Sequence, residues 1–369
     1  MDNFLNDMER EKPVRFTSLQ LRIATDNFTN LLGSGGFGSV YKGESSNGTL
    51  VAVKALSGTS DKRIDEQFMA EVSTLGRIHH VNLVRLHGFC FERHLRALVY
   101  EYMSNGSLDK FLFHGNKILR FEKLHEIAVG TARGIAYLHE ECQQRIVHYD
   151  IKPGNILLDV NFFPKVADFG LAKLCNRDNT HISMTGGRGT PGYAAPELWL
   201  GLPITHKCDV YMYIFRLMLL FEIIGRRRNL DLNLPESQDW FPRWGWKKFE
   251  AGELGQLMVV CGIEEKDREA VESNVLKRGG VPEAFSGEPH QGCRSELRPL
   301  MSVAVKMLEG EIDIPRPSIN PFQHLPDTPI MAAYSTSAFD TDSSQTITGY
   351  NIVCKTPIMK KYEIEIAST

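Results

Sequence analysis

The sequence predicts an α+β protein of two lobes: a small antiparallel β-sheet lobe with one helix over residues 28–103, then a larger, mainly helical lobe over 104–312. Three observations predict it. Short β-branched runs alternate with glycine turns up to about residue 103, and helical patterns dominate beyond it. A chain of 369 residues, 42% hydrophobic and 24% charged, is also long enough to bury a large core.

In the first lobe, Leu31-Leu32-Gly33, Ser39-Val40-Tyr41-Lys42 and Leu50-Val51-Ala52-Val53-Lys54 read as strands, joined by turns such as Asn47-Gly48. The spacing of Phe68, Val72, Leu75 and Ile78 predicts a helix over about 65–77. Residues 1–27 form a polar lead with helical character. Residues 313–369 turn Pro-rich, then Ser/Thr-rich (Ser335, Thr336, Ser337, Thr341, Ser343, Ser344), the composition of a disordered tail.

Composition narrows the function classes. A net charge of −3 gives no overall attraction to nucleic acid or anionic membrane, so phosphate binding has to be local. Seven cysteines without a C-x-x-C pair suit free thiols in a reducing compartment, not a disulfide framework or zinc site. The early acids of the N-terminus do not read as a secretory leader, and Asp2 excludes N-myristoylation. The apolar run from Val210 to Phe221, continuing to Ile224, lies between Asp209 and Glu222 and is interrupted by Arg216. Its uncharged stretches are shorter than the roughly 20 residues that span a bilayer, so a buried core helix is expected.

The chemistry begins at Gly33-Ser34-Gly35-Gly36-Phe37-Gly38. Glycines there let backbone N–H groups approach phosphates closely. The spacing alone also fits a dinucleotide-binding turn, but that turn opens a helix, whereas Ser39–Lys42 is strand-like. Val51-Ala52-Val53-Lys54 sets an ammonium on one strand face. Alone it reads as a solvated lysine, and Glu71 alone as a surface acid; together they suggest the ion pair that orients a phosphate-binding lysine. In His148-Tyr149-Asp150-Ile151-Lys152-Pro153-Gly154-Asn155, the Asp and Asn lie five residues apart. Phosphoryl transfer to an alcohol needs a carboxylate for the hydroxyl proton and oxygen ligands for Mg²⁺, which Asp150, Asn155 and the Asp168 of Asp168-Phe169-Gly170 supply. Gly189-Thr190-Pro191 through Ala195-Pro196-Glu197 completes the series.

With phrases such as Ala24-Thr25-Asp26-Asn27-Phe28 and Val147-His148-Tyr149-Asp150-Ile151-Lys152-Pro153, the sequence resembles the plant receptor-like kinases, in particular their leaf-rust-resistance branch, from Arg15 to Leu325. The resemblance implies a bilobed protein kinase fold and a serine/threonine kinase that uses ATP with Mg²⁺, or Mn²⁺, in receptor-type signalling or defence. It implies nucleotide binding by Gly33, Gly35, Gly36, Gly38, Val40, Ala52, Lys54, Tyr100, Glu101, Met103 and Leu157. The hinge would be Glu101-Tyr102-Met103, with Tyr100 guarding the back of the pocket. Asn155 and Asp168 would hold the metal. Asp150, Lys54, Glu71, Lys152 and Thr190 would carry the catalysis, with Lys152 on the transferred phosphate and Thr190 its partner in the substrate loop. Implied partners are protein substrates with Ser/Thr acceptors, the chain itself by autophosphorylation, and a membrane receptor, but no nucleic acid. The implied location is cytoplasmic or at the plasma membrane.

Three departures stand out. Tyr149 replaces the Arg that commonly precedes the catalytic Asp and pairs with a loop phosphate, the pattern of non-RD kinases. After Asp209-Val210-Tyr211, the stretch 212–217 is about three residues longer than in relatives and carries Arg216. Residues 272–292 bring two adjacent glycines and two prolines where relatives have an apolar helix. The family's buried bridge would join Arg298 to Glu197. His79, His80 and His87 read as fold residues rather than a metal cluster, and Arg226–Arg228 as a solvated turn. An active kinase is the leading expectation; an ATP-binding pseudokinase scaffold with an impaired C-lobe is the alternative.

Overall fold

The alternating N-terminal segments assemble into one six-stranded sheet. In the computed structural model, which describes residues 13–58, 60–113, 119–177, 189–190, 193–195, 197–200, 203–214, 228, 241–253, 255 and 298–312, it comprises β1 (Val14–Arg15), β2 (Leu31–Gly35), β3 (Gly38–Glu44), β4 (Leu50–Leu56), β5 (Leu86–Glu92) and β6 (Leu95–Glu101). The order is β1-β5-β6-β4-β3-β2. All pairings are antiparallel except β1 on β5, which is parallel.

Alternation along β4 gives the sheet two faces. Val51 and Val53 join Cys90, Ala97 and Val99 beneath Leu21 of helix α1 (Ser18–Ala24). That helix opens on a capping box: Gln20 N–H donates to Thr17 Oγ1 at 3.2 Å, and Thr17 N–H to Gln20 Oε1 at 2.8 Å. Lys54 and Leu56 turn to the opposite face, where α2 (Asp61–Leu75) lies. Ser60 caps α2, so it begins four residues earlier than the apolar spacing predicts. Phe68, Val72 and Leu75 form its buried stripe, and burial of a side chain such as Phe68 contributes about 1.5–3 kcal/mol.

The second lobe is built on α4 (Phe121–Ala136), preceded by the short α3 (Asp109–Phe113) and continued by a π-helical turn, Tyr137–Glu141. Helix α8 (Met301–Glu309) packs on α4, where the His125 ring meets the Leu308 carbonyl at 3.0 Å. Strand β7 (Gly106–Ser107) precedes α3, and between α4 and α8 in sequence come β8 (Arg145–Val147), β9 (Ile156–Leu158), β10 (Pro164–Val166), β11 (Lys173–Cys175), α5 (Glu197–Leu200), α6 (Lys207–Ile214) and α7 (Phe241–Glu250). Strands β10, β9 and β7 form one antiparallel sheet, and β11 pairs with β8.

The lobes meet where Val166 N–H donates to Asn82 O at 2.8 Å and Val84 N–H to Val166 O at 2.9 Å. Gly130 of α4 allows this approach, since a Cβ there would fall 2.7 Å from Pro164 and 2.9 Å from the Asn82 amide nitrogen. One apolar cluster crosses the junction, taking in Phe68, Val72 and Leu98 from the first lobe and Ile135, Leu138 and Phe169 from the second. Among the described residues no helix is long and apolar enough to cross a membrane. Of the buried helix expected from Val210 to Ile224, the part up to Ile214 lies in α6; residues 215–224, 272–292 and 313–369 lie outside the described residues.

Candidate active site

The β2–β3 hairpin places the glycine run at the edge of the sheet. Gly35 pairs with Gly38, whose φ of +126° and 2.1 Å approach of a would-be Cβ to Ala55 O admit only glycine. Gly33, Gly35 and Gly36 face open space. Phe37, at the hairpin tip, places its ring centroid 5.6 Å from Lys54 Nζ, a contact that sequence spacing did not reveal.

Lys54 is the hub of the cleft. It is buried, and donates to Glu71 Oε1 at 2.6 Å and to Asp168 Oδ1 at 2.7 Å. Burial pulls its pKa down, but the Asp168 and Glu71 carboxylates outweigh it, so the ammonium stays protonated. Burial and the nearby Asp168 hold Glu71 above the usual carboxylate range, against the pull of Lys54. Asp168 also feels burial, yet Lys54 brings it below its ordinary value. Tyr100 donates its hydroxyl to Glu71 Oε2, so the residue expected at the back of the pocket also holds the glutamate.

The remaining candidate nucleotide residues flank this hub. Val40 is paired with Lys54 and Ala52 with Tyr100 across adjoining strands, while Leu157 rises from β9 in the other lobe. Met103 is buried; the Glu101 carboxylate binds Lys165 Nζ at 3.0 Å and accepts the Arg85 N–H at 2.8 Å. A cavity of about 930 Å³ between α1, the β3–β4 turn and the end of α2 is lined by none of the candidate residues.

Asp150 lies in a loop held from behind. The Asp209 carboxylate accepts the N–H groups of His148 at 2.7 Å and Tyr149 at 2.8 Å, and the His139 ring contacts it at 2.9 Å. Burial raises Asp209, but the hydrogen bond and charge of His139 bring it below its ordinary value. These bonds, with full burial of the ring, hold Tyr149 at φ +67°, an uncommon conformation for a bulky residue. His148 Nδ1 accepts the Asp150 N–H at 3.2 Å, which puts the ring proton on Nε2, donating to Ala167 O at 3.0 Å. The ring therefore ties the Asp150 loop to the segment carrying Asp168.

In front of the loop, Thr190 Oγ1 donates to Asp150 Oδ1 at 2.6 Å, and Lys152 Nζ donates to Thr190 Oγ1 at 2.7 Å. Lys152 Nζ also lies 2.9 Å from Asp150 Oδ2, closing a triangle of carboxylate, hydroxyl and ammonium. Asn155 Nδ2 donates to Asp150 O at 2.8 Å and Oδ2 at 2.9 Å, leaving its amide oxygen for a cation. Ala167 N–H bonds Asn155 O at 2.9 Å, so Asn155 and Asp168 belong to adjoining backbone. An amide and a carboxylate oxygen are donors that suit a hard cation of the Mg²⁺ class, which takes few protein ligands. No cluster of three His, Cys, Asp or Glu able to hold a metal occurs among the described residues.

The structure thus brings Lys54, Glu71 and Asp168 together, and Asp150 with Lys152, Asn155 and Thr190. Sequence reasoning missed Asp209, His139 and His148 as the brace; in the sequence Asp209 figures only as the flank of the apolar run and of the lengthened stretch after it. The buried bridge is present: Arg298 binds both Glu197 oxygens, at 2.5 and 2.8 Å. His80 stacks on Tyr137 at 4.9 Å, in keeping with a fold role.

Residues 27–229 match the model of the family described as protein tyrosine and serine/threonine kinase. A G-type lectin S-receptor-like serine/threonine-protein kinase of Arabidopsis thaliana is 46% identical over 313 residues, 83% of this chain and 34% of that protein. Rust resistance kinase Lr10 of Triticum aestivum is 46% identical over 277 residues, 73% of this chain and 43% of that protein. A leaf rust 10 disease-resistance locus receptor-like protein kinase-like protein of Arabidopsis thaliana is 41% identical over 319 residues, 85% of this chain and 48% of that protein. The chain spans less than half the length of these relatives.

Proposed function

The chain belongs to the protein tyrosine and serine/threonine kinase family, and we propose that it transfers the γ-phosphoryl group of Mg·ATP to serine and threonine hydroxyls of proteins. The observation that carries this reading is the seat of the Thr190 hydroxyl, 2.6 Å from Asp150 Oδ1 and 2.7 Å from Lys152 Nζ. A carboxylate and an ammonium converging on one alcohol oxygen are what an incoming Ser or Thr hydroxyl requires.

Asp150 accepts the acceptor hydroxyl's proton, and Asn155, bonded to Asp150 twice, fixes its carboxylate in that pose. Lys152 neutralises charge on the transferred group, and Thr190 keeps Lys152 and Asp150 in register. Lys54, held by Glu71, binds the nucleotide's phosphates under the glycine hairpin, while Val40, Ala52, Tyr100, Glu101, Met103 and Leu157 enclose the base. Asn155 and Asp168 would hold Mg²⁺, or Mn²⁺, which when bound supplies charge neutralisation at the phosphate oxygens. Tyr149, uncharged and buried, offers no partner to a loop phosphate, so site assembly does not depend on one.

The relatives are named as receptor-like and rust-resistance kinases. On that basis the proposal extends to receptor-type signalling or defence at the plasma membrane, with protein substrates, autophosphorylation and a membrane receptor as partner.

Phosphate incorporation from ATP into the purified chain and a generic protein substrate tests it, with Asp150→Asn as control and phosphoamino-acid analysis of the product. Phosphoserine and phosphothreonine are expected. A folded chain that binds nucleotide yet transfers no faster than Asp150→Asn is a scaffold, and the proposal fails.

A further inference from the structure

One stripe of α2 faces the sheet: Asp65, Phe68, Glu71, Val72 and Leu75 recur at three- and four-residue spacing. Phe68 and Glu71 are fully buried; Asp65, near the helix start, keeps its side chain 30% exposed. Its partner is Arg96 on β6, held on three sides. The Arg96 Nε donates to Asp65 Oδ1 at 2.9 Å, a terminal nitrogen donates to the Glu92 carbonyl, and the guanidinium carbon lies 3.8 Å from the centroid of the Phe91 ring. Phe91 in turn stands 5.0 Å from Phe68. The β5–β6 hairpin therefore grips α2 through adjacent ionic and aromatic contacts, one to two turns before Glu71. The same hairpin is steadied from the other side, where Glu92 Oε1 accepts the Ser18 N–H at 3.0 Å at the start of α1.

We propose that Arg96 is a positioning residue for transfer: by tying Asp65 to the β5–β6 hairpin, it fixes the rotation of α2 that brings Glu71 onto Lys54. This rests on the phosphotransfer reading. A helix seated only by apolar side chains can roll, and a roll of about 20° moves a carboxylate some 6 Å from the axis by roughly 2 Å. That displacement breaks the 2.6 Å Glu71–Lys54 contact. A planar, stacked guanidinium resists rolling in a way that a single point charge does not. A partly exposed ion pair contributes little to global stability, so its removal should show in turnover rather than in unfolding.

The test compares Arg96→Gln, Asp65→Asn and Arg96→Lys in the full chain, each also combined with Glu71→Gln. Both charge-removing variants should lower kcat about tenfold at saturating nucleotide, with an unfolding midpoint close to the parent's, and Arg96→Lys, which keeps the charge but not the stacked plane, should recover only part of the loss. In the Glu71→Gln background, Arg96→Gln should bring no further fall, because the two residues act in series. An unchanged kcat for Arg96→Gln, or the same fold-loss in both backgrounds, overturns the proposal. Hydrogen exchange over residues 61–75 does not depend on turnover: Arg96→Gln should speed it, and unchanged exchange overturns the clamp. If the parent chain transfers nothing above the Asp150→Asn level, the phosphotransfer reading falls and the exchange result alone judges the clamp.

Discussion

Two buried ion pairs, one beside the cleft and one within the second lobe, are built alike but open to different things. Arg298 and Glu197 are 1% and 0% exposed, bonded twice to each other, with the guanidinium also bonded to Lys207 O and 4.8 Å from the centroid of the Tyr211 ring. Lys54 and Glu71 are nearly as buried, but their third member, Asp168, keeps a quarter of its side chain exposed at the cleft. The first pair joins α5 to the start of α8 and meets only protein. The second joins a strand, a helix and a loop, with the glycine hairpin beside it. A sealed pair locks elements together; a pair with one open carboxylate is positioned to bind something. Removing one partner should therefore damage folding in the first case and chemistry in the second.

The largest stability effect should follow Arg298→Met, which leaves the Glu197 carboxylate buried and unpaired and should cost about 3–5 kcal/mol in a denaturant titration. A loss below about 1 kcal/mol would break the comparison. Lys54→Met should be milder on folding, because Glu71, already raised by burial, can take up a proton once the opposing Lys54 charge is gone. Its transfer rate should nevertheless fall on the order of 10²-fold or more. Tyr100→Phe sharpens the contrast further: Glu71 keeps Lys54 but loses a donor, so turnover should fall roughly threefold to tenfold and stability by about 1–2 kcal/mol.

The smallest effect is a pH dependence in the second lobe. Burial, reinforced by the charge of neighbouring His139, lowers His206 from 6.5 to about 3. Between those values the unfolded chain binds more protons at this position than the folded one, so stability is full above about 6.5 and declines as pH falls toward 3. The unfolding midpoint should drop from pH 7.5 to 5, and His206→Gln should flatten that slope. An equal slope in the variant would remove His206 from the account.

What the sequence revealed and what it hid divide along physical lines. The strands holding the glycine run and Lys54 were legible because alternation and turn residues are local properties, and Asp150, Lys152 and Asn155 lie within six residues of chain. The cross-chain partners were hidden. Tyr100 on Glu71 and Arg96 on Asp65 depend on strand register and on the roll of α2, which a period of 3.6 residues does not fix to within a hydrogen bond. The Asp209 brace joins groups about 60 residues apart, and nothing in its own neighbourhood marks its carboxylate as the acceptor for two loop amides. Strand β1, two residues long, is too short to show any pattern.

The central claim assigns different work to two carboxylates in one cleft, and one paired measurement tests it: metal-dependent nucleotide affinity and turnover for Asp168→Asn and Asp150→Asn. Asp168→Asn should lose both together, since Asp168 binds Lys54 and would hold the metal. Asp150→Asn should bind Mg·ATP nearly as the parent does yet lose on the order of 10²-fold or more in turnover. Equal nucleotide affinity in the two variants, or turnover in Asp150→Asn equal to that of the parent, would contradict it.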